Sequence, residues 1–395
     1  MRGRIVKKNN NYYVIIEEGI DGSTGLRRRT SHAAGVSRRA AEHLLAELLE
    51  QKRTDTYVEP SRLSLSEYLI DEWLPATKHE VRRSTFDAYR RSIELHVLPR
   101  IGTLKLQKLR PVDLTKFYAD LLHQGRIDST GGLSPKTVHN IHQILRKALE
   151  DALRQNYVVR NAAASAKVPR TRATRRTEMR YWNAGELRQF LDAALGSPHF
   201  AAWYLSANTG MRRGEVLGLR WRDVNLDAGR LAVRRALLSV AYEIVESDAK
   251  TDRSERVVDL DARTVKVLRE HRARQHDERD SIGIGYRDSG LVFAKIDGSP
   301  IHPESFSQAF ERKARSAGVP RIRLHDIRHT HATLLLQAGV PPKVVSERLG
   351  HATVAFTMQV YAHVIPGMQA DAASAFGNLV FLDDENGPRS TNDEG

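Results

Sequence analysis

Four stretches in the second half of the chain carry polar side chains in settings that suit chemistry. In Thr209-Gly210-Met211-Arg212-Arg213-Gly214-Glu215, glycines bracket Arg212 beside an apolar helix. A guanidinium offers a planar fork of donors that matches two phosphate oxygens, and the glycine before it lets the backbone come close. Alone, this signal is weak, because an arginine at a helix start is more often a surface residue than a catalytic one. The second stretch, Ala249-Lys250-Thr251-Asp252-Arg253-Ser254-Glu255-Arg256, reads as a polar hairpin between strands, and its bland reading is a solvated tip. The third, Leu324-His325-Asp326-Ile327-Arg328-His329, sets His325 and Arg328 on one helix face, where an imidazole and a guanidinium can meet one phosphate. His325 and His329 also imitate the i,i+4 spacing of zinc proteases, but Arg328 would repel a dication and no clear carboxylate third ligand is nearby. The fourth runs from Leu349-Gly350-His351 to Tyr361, a phenol ten residues after the histidine. A lone tyrosine is usually a core or rim residue; as a nucleophile, with an ordinary pKa of about 10, it needs a base or cations to activate it.

Together these stretches supply two arginines, a lysine, two histidines and a tyrosine, a set that suits a phosphodiester. Two guanidinium forks neutralise charge building on phosphorus, histidines exchange hydrogen bonds with its oxygens, and a lysine protonates the departing alkoxide. No metal or other cofactor is expected. The rest of the composition agrees: Lys and Arg total 62 against 48 Asp and Glu, a net charge of +14, so a polyanion is the first partner to consider, nucleic acid ahead of an anionic membrane. The chain has no cysteine, which excludes disulfide scaffolds, Cys-ligated zinc and thiol nucleophiles. With 41% hydrophobic and 28% charged residues over 395 positions, it should fold, and into several domains. No signal-peptide core or 18-residue apolar run stands out, so nothing points to export or membrane insertion, and a cytoplasmic location with no membrane partner is expected.

The elements that must position these groups follow from periodicity and punctuation. Residues 1–55 read as a small sheet plus helix: Tyr12 to Ile16 is strand-like, Asp21 to Gly25 a turn, Leu26 to His32 a second strand, and Ala41, Leu44, Leu45, Leu48 and Leu49 the stripe of a helix. Arg27, Arg28 and Arg29 on that second strand suit a DNA groove or a solvated face. Residues 63–160 read as all-helical, with helices at Leu65–Thr77, Thr85–Leu98, Val112–Gln124 and Lys136–Asn156. In the last of these, Val138, Ile141, Leu145, Ala148, Leu149 and Ala152 form a stripe, flanked by Lys136, His139, His142, Arg146 and Lys147. The region is a DNA clamp or a bundle with a wet basic face. Residues 161–180, rich in arginine (Arg172, Arg175 and Arg176 among them), read as a basic linker able to track phosphates. Residues 181–377 form a mixed domain, opened by a capping box at Asn183 and Glu186, and 378–395 form an acidic, flexible tail.

The four stretches closely resemble the tyrosine recombinases, specifically phage-type and mobile-element integrases with an arm-binding N-terminal domain. That family carries an Arg in a T-G-[LM]-R-x-x-E box, a Lys on a hairpin, H-x-x-R, L-G-H, and a Tyr about ten residues later. The matching positions are Arg212, Lys250, His325, Arg328, His351 and Tyr361, in the family's order, with Glu215 as the acid supporting the first arginine. The resemblance implies a multi-domain, mainly α fold with small β elements. Its parts would be an N-terminal sheet-plus-helix arm-binding domain, an all-α, SAM-like core-binding domain, and an α+β catalytic domain.

It further implies a site-specific recombinase in which Tyr361 attacks a backbone phosphate and forms a 3′-phosphotyrosyl bond, without metal or ATP. Arg212 and Arg328 would clamp the phosphate and His351 bond a non-bridging oxygen, while His325 would act as base and Lys250 as acid. Arg253 and Arg256 share the lysine's stretch, so its role is sensitive to register. DNA contacts are expected from Arg27, Arg28, Arg29, Lys136, Arg146, Arg172, Arg175 and Arg176. Partners would be double-stranded attachment sites and a homotetramer on DNA, with room for an excisionase and a host DNA-bending protein. The segment Met368–Leu382 would dock on a neighbouring protomer or fold back on its own. The competing readings are a type IB-like tyrosine topoisomerase, which would relax plasmids lacking any specific site, and a DNA-binding regulator without catalysis, which would form no covalent adduct. A metal-dependent phosphohydrolase comes last.

Overall fold

The computed structural model describes residues 2–20, 27–53, 57–128, 130–169, 179–248, 255–351, 353–361 and 368–381. The chain divides into two units, Met1–Ala173 and Thr174–Gly395. It is mainly helical, with three small antiparallel sheets among the described residues.

The first unit opens with strands β1 (Arg2–Lys8), β2 (Asn11–Ile20) and β3 (Arg27–Gly35), paired in that order. Alternation along β2 turns Val14 and Ile16 to the face covered by helix α1 (Arg38–Arg53), whose Ala41 and Leu48 are buried with them. Strand β1 escaped the sequence reading because its apolar content is only Ile5 and Val6; pairing with β2, Ile5 opposite Val14, makes it a strand. The turn expected at Asp21–Gly25 lies outside the described residues.

Four helical stretches follow: Leu65–Thr77, Arg83–Ile101, Pro111–Gln124 and Pro135–Arg154. The first two share a device. Before Pro75 and Pro99 the helix widens, so that the N–H of Leu74 bonds the carbonyl of Leu69 and that of Leu98 bonds Ile93, five residues back. Proline lacks an N–H and its ring crowds the preceding turn, and the wider turn accommodates both without breaking the helix. The stripe Val138, Ile141, Leu145, Ala148, Leu149 and Ala152 is buried against Tyr68, Phe117 and Tyr118. His142, expected on a flank, is instead buried: its Nδ1 pairs with the Tyr118 hydroxyl at 3.1 Å, which satisfies both polar groups inside the core.

The second unit packs helices Ala184–Ala193, Phe200–Thr209 and Pro303–Ser316 around Trp182, Phe190, Trp203, Phe306 and Phe310. The capping box at its start is formed, with Asn183 Oδ1 accepting from the Glu186 N–H at 2.9 Å and Glu186 Oε2 from the Asn183 N–H at 2.8 Å. Strands β4 (Val224–Asn225), β5 (Arg230–Val233) and β8 (Arg256–Asp259) form one sheet, β6 (Arg235–Val240) and β7 (Glu243–Asp248) another. The expected hairpin around Lys250 is therefore corrected. Strand β7 turns back on β6 through Ala241 and Tyr242, both at positive φ, while β8 pairs with β5, Leu231 opposite Val258. The lysine's stretch thus links strands of different sheets, and Lys250 itself lies outside the described residues. A smaller cluster, Ala332, Leu336, Val345, Leu349 and Tyr361, joins helices Asp326–Gln337, Pro342–Leu349 and Val354–Tyr361.

Candidate active site

Gly210, at φ 64°, ends the helix Phe200–Thr209 in the left-handed conformation that glycine adopts at least cost. Two residues on, Arg212 caps the short helix Arg213–Leu217, and Glu215 reaches back to it: Oε2 accepts from the Arg212 N–H at 2.9 Å and Oε1 from Nη1 at 2.7 Å. The same carboxylate takes a second guanidinium, Arg256 from β8, whose Nη2 lies 2.8 Å from Oε2. Burial alone would raise the Glu215 pKa, but the hydrogen bond and charge of Arg256, with the charge of Arg212, hold it at about 2.

Three guanidiniums converge on the end of helix Pro342–Leu349. Arg256 Nε donates to the Arg348 carbonyl at 2.8 Å, Arg328 Nη2 to Leu349 at 2.7 Å, and Arg212 Nη2 to Gly350 at 3.2 Å. These are consecutive carbonyls at a helix C-terminus, where unpaired acceptors and the negative end of the macrodipole attract cations. Arg328 also donates from Nη1 to Gly210 at 2.8 Å, tying the two left-handed glycine corners together. Arg328 is only 4% exposed; burial, then repulsion by Arg212, brings its pKa down to about 9, so it stays a cation at neutral pH. Arg212 is more open, with its side chain 42% exposed.

His351 follows Gly350 and is held through Nδ1 by the buried Thr357 hydroxyl at 2.8 Å. Burial and the nearby Arg328 and Arg212 charges push its pKa down to about 3, so the ring is neutral. Tyr361 is 1% exposed, and burial raises its phenol to about 12 against the opposing pull of Arg328. Its hydroxyl lies 2.8 Å from His329 Nδ1. His329 is likewise neutral, pushed to about 4 by burial and then by His325. His325 sits exposed at the start of helix Asp326–Gln337, its ring edge-on to His329 with centroids 5.4 Å apart. The expected base thus stands one ring away from the phenol, and His329 occupies the contact.

Behind the site, Arg348 Nε donates to His331 Nε2 at 3.2 Å, while His331 Nδ1 bonds the Ala207 carbonyl at 2.8 Å. Arg348 also donates to the carbonyls of Asn208 and Asp259. Sequence reasoning passed over Arg348 and His331 and named Arg256 only as a register competitor of Lys250. What marks them is the withdrawal of a charged or titratable group from solvent, complete for His331 and the Arg256 side chain and partial for Arg348, which spacing does not reveal. The zinc-like spacing of His325 and His329 encloses Asp326, which is committed to Arg323 at 2.8 Å. Among the described residues no group of three or more His, Cys, Asp or Glu could hold a metal.

The structure therefore brings together Arg212, Glu215, Arg328, His351 and Tyr361, with His325 at the edge. Of the expected DNA contacts, Lys136 and Arg146 are exposed on helix Pro135–Arg154, and Arg29 faces Glu17 at 3.6 Å. Arg27 and Arg28 lie on β3, where nothing is described of their side chains, and Arg172, Arg175 and Arg176 lie outside the described residues.

This fold has counterparts. Residues 179–367 match the phage integrase family, and residues 65–122 the phage integrase N-terminal SAM-like domain. The chain belongs to the phage integrase family of tyrosine recombinases. It is 28% identical to the tyrosine recombinase XerC-like protein of Caldanaerobacter subterraneus subsp. tengcongensis, over 95% of this chain and 98% of that protein. It is 27% identical to the ICEBs1 integrase of Bacillus subtilis, over 95% of this chain and all of that protein. Among solved structures, the Tn1549 transposon integrase in complex with a circular intermediate DNA superposes with a TM-score of 0.63 at 18% identity, covering 80% of this chain and 100% of that one. The lambda integrase tetramer bound to a Holliday junction does so with a TM-score of 0.55 at 17% identity, covering 90% and 93%. Among the described residues no helix is long and apolar enough to cross a membrane.

Proposed function

We propose that Tyr361 is the nucleophile through which this site-specific recombinase breaks and rejoins DNA to integrate a mobile element. The observation that carries the reading is the convergence of Arg212 and Arg328 on one helix end, beside His351 and within the same fold unit as the Tyr361 phenol. Tyr361 Oη attacks a backbone phosphate, the new bond is a 3′-phosphotyrosyl ester, and the 5′-oxygen departs. Arg212, the more exposed fork, and Arg328 bind the non-bridging oxygens. His351, kept neutral, donates to one of them without adding charge. Lys250 protonates the departing 5′-oxygen, and His325 lines the phosphate at the site's edge. The ester retains the phosphodiester's energy, so a second strand's 5′-hydroxyl reverses the step without ATP.

In this reading residues 1–55 bind arm-type DNA, 63–160 grip the core site through Lys136 and Arg146, the basic linker follows phosphates beyond its first residues, where Ala162 and Ala163 are buried in the helical core, and 181–377 carry the chemistry. Four copies assemble on two attachment sites, and an excisionase and a host bending protein set direction. The solved relatives include integrases bound to DNA and, for lambda integrase, a tetramer on a Holliday junction.

The test is a nicked duplex spanning the junction of the element that carries the gene. Wild-type protein should leave a denaturation-resistant adduct in the presence of chelator, and Tyr361→Phe should bind the duplex and leave none. An adduct with Tyr361→Phe overturns the assignment.

A further inference from the structure

We infer that His329, and not His325, takes the proton from Tyr361 as the phenol attacks phosphorus. This deepens the proposed function and rests on Tyr361 being the nucleophile. The contact is direct: His329 Nδ1 lies 2.8 Å from the Tyr361 hydroxyl, inside the range for O–H···N pairing, and the two rings pack with centroids 5.8 Å apart. A group that removes a proton in the transition state must be within hydrogen-bond reach of it, and His329 meets that condition. His325 packs instead on the edge of the His329 ring.

The position of His329 has two further consequences. It follows Arg328 in the helix Asp326–Gln337, so the residue that holds the phosphate and the residue that holds the nucleophile are fixed to each other by one peptide bond. His329 also lines a groove of about 650 Å³ with Arg180, Arg321, Arg323 and Asp326, which gives a proton taken from the phenol a way out to water. The balance is complete. The Tyr361 Oη–P bond forms and the P–O5′ bond breaks. The phenolic proton passes to the lone pair of His329 Nδ1 and from the imidazolium to water in the groove, and the 5′-oxygen leaves with the proton assigned to Lys250. A neutral imidazole near pKa 4 beside a phenol near 12 does not remove the proton ahead of attack; the proton moves as the oxygen–phosphorus bond forms and the phenol becomes acidic.

A buried tyrosine needs a hydrogen-bond partner in any case, so the test separates a base from a latch that holds the phenol at rest and from a group that only positions it. Adduct formation on the nicked junction duplex is timed for full-length wild type, His329→Ala, His329→Gln and His325→Ala. Each is made with tyrosine and with 3,5-difluorotyrosine at position 361, a more acidic phenol that needs less help to lose its proton. His329→Ala should slow the adduct about 100-fold or more, with binding to the same duplex within about twofold, and the fluorinated phenol should restore at least about tenfold of that loss. His329→Gln, which keeps a polar partner for the phenol and guards against a folding defect, should be slowed and rescued alike. The His325→Ala defect should not be rescued. Adduct formation as fast as wild type in His329→Gln, faster formation in His329→Ala, or a loss that fluorination leaves untouched would each overturn the inference. Failure of the nucleophile assignment reads out separately, as an adduct surviving in Tyr361→Phe.

Discussion

Arg256 and Arg348 are joined through the main chain: the guanidinium of the first donates 2.8 Å to the carbonyl of the second, while its other face holds Glu215. One buried side chain thereby fixes both the helix end before His351 and the carboxylate that steadies Arg212. Truncating it should cost in two currencies. Arg256→Ala leaves a buried carboxylate short of a partner and should lower unfolding free energy by about 3–5 kcal/mol, measured by urea or thermal melts. It should also slow adduct formation. Arg256→Lys keeps the charge without the fork and should recover only part of each.

Glu215 ties stability to acid pH. Its folded pKa is about 2 against an ordinary 4.5, so the unfolded state binds a proton more readily. The contribution is full above about pH 4.5 and is lost as pH falls towards 2. The shift corresponds to at most about 3 kcal/mol. Melting temperatures taken across this window should fall steeply for wild type and less steeply for Glu215→Gln, whatever that substitution costs at neutral pH.

His331 acts in the same direction over a higher window. Burial, then the charge of Arg348, lowers its pKa to about 3, so the neutral form is built into the fold. The stabilisation this represents is present above the ordinary value near 6.5 and drains away as pH drops from there towards 3. NMR of the imidazole protons should find His331 untitrated at pH 5; a midpoint near 6.5 would contradict its placement between Ala207 and Arg348.

Gly350 sits at φ 65°, and a Cβ there would lie 3.0 Å from Arg256 Nη1. Gly350→Ala should therefore cost about 1–2 kcal/mol for the left-handed backbone alone and lower adduct yield by displacing Arg256. Chemical denaturation beside the nicked-duplex assay measures both.

DNA affinity should fall linearly on a log–log plot as salt rises, since phosphate contacts release counterions. Lys136→Ala and Arg146→Ala should each reduce the slope by about one unit and weaken all sequences alike. An unchanged slope in both variants would remove the helix Pro135–Arg154 from the DNA interface.

How far the sequence reached depended on the distance between partners. The residues of the T-G-M-R, H-x-x-R and L-G-H stretches were legible because type and spacing within a few positions carry the signal, and so were the buried stripe of Pro135–Arg154 and the Asn183–Glu186 cap. The pairings that organise the site were not. Arg256 meets Arg348 across 92 positions, and Tyr361 meets His329 rather than its neighbour one turn earlier, because tertiary packing chooses among side chains of similar chemistry. The same reason hid the partner of β8, which lies in β5 and not in the adjacent β7, and the burial of His142, which reads as a flank residue until Tyr118 is set opposite it. Strand β1 was missed because a ladder, not hydrophobic content, makes it.

The lacing of Gly210 to Leu349 through Arg328, and of Arg212 to Gly350, removes the freedom of the corner to open independently. Two chain reversals far apart in sequence become one cooperative block, whose amides should exchange with solvent only when the whole unit does. Order at the proposed phosphate site would then be set once, during folding, and not afresh at each encounter with DNA.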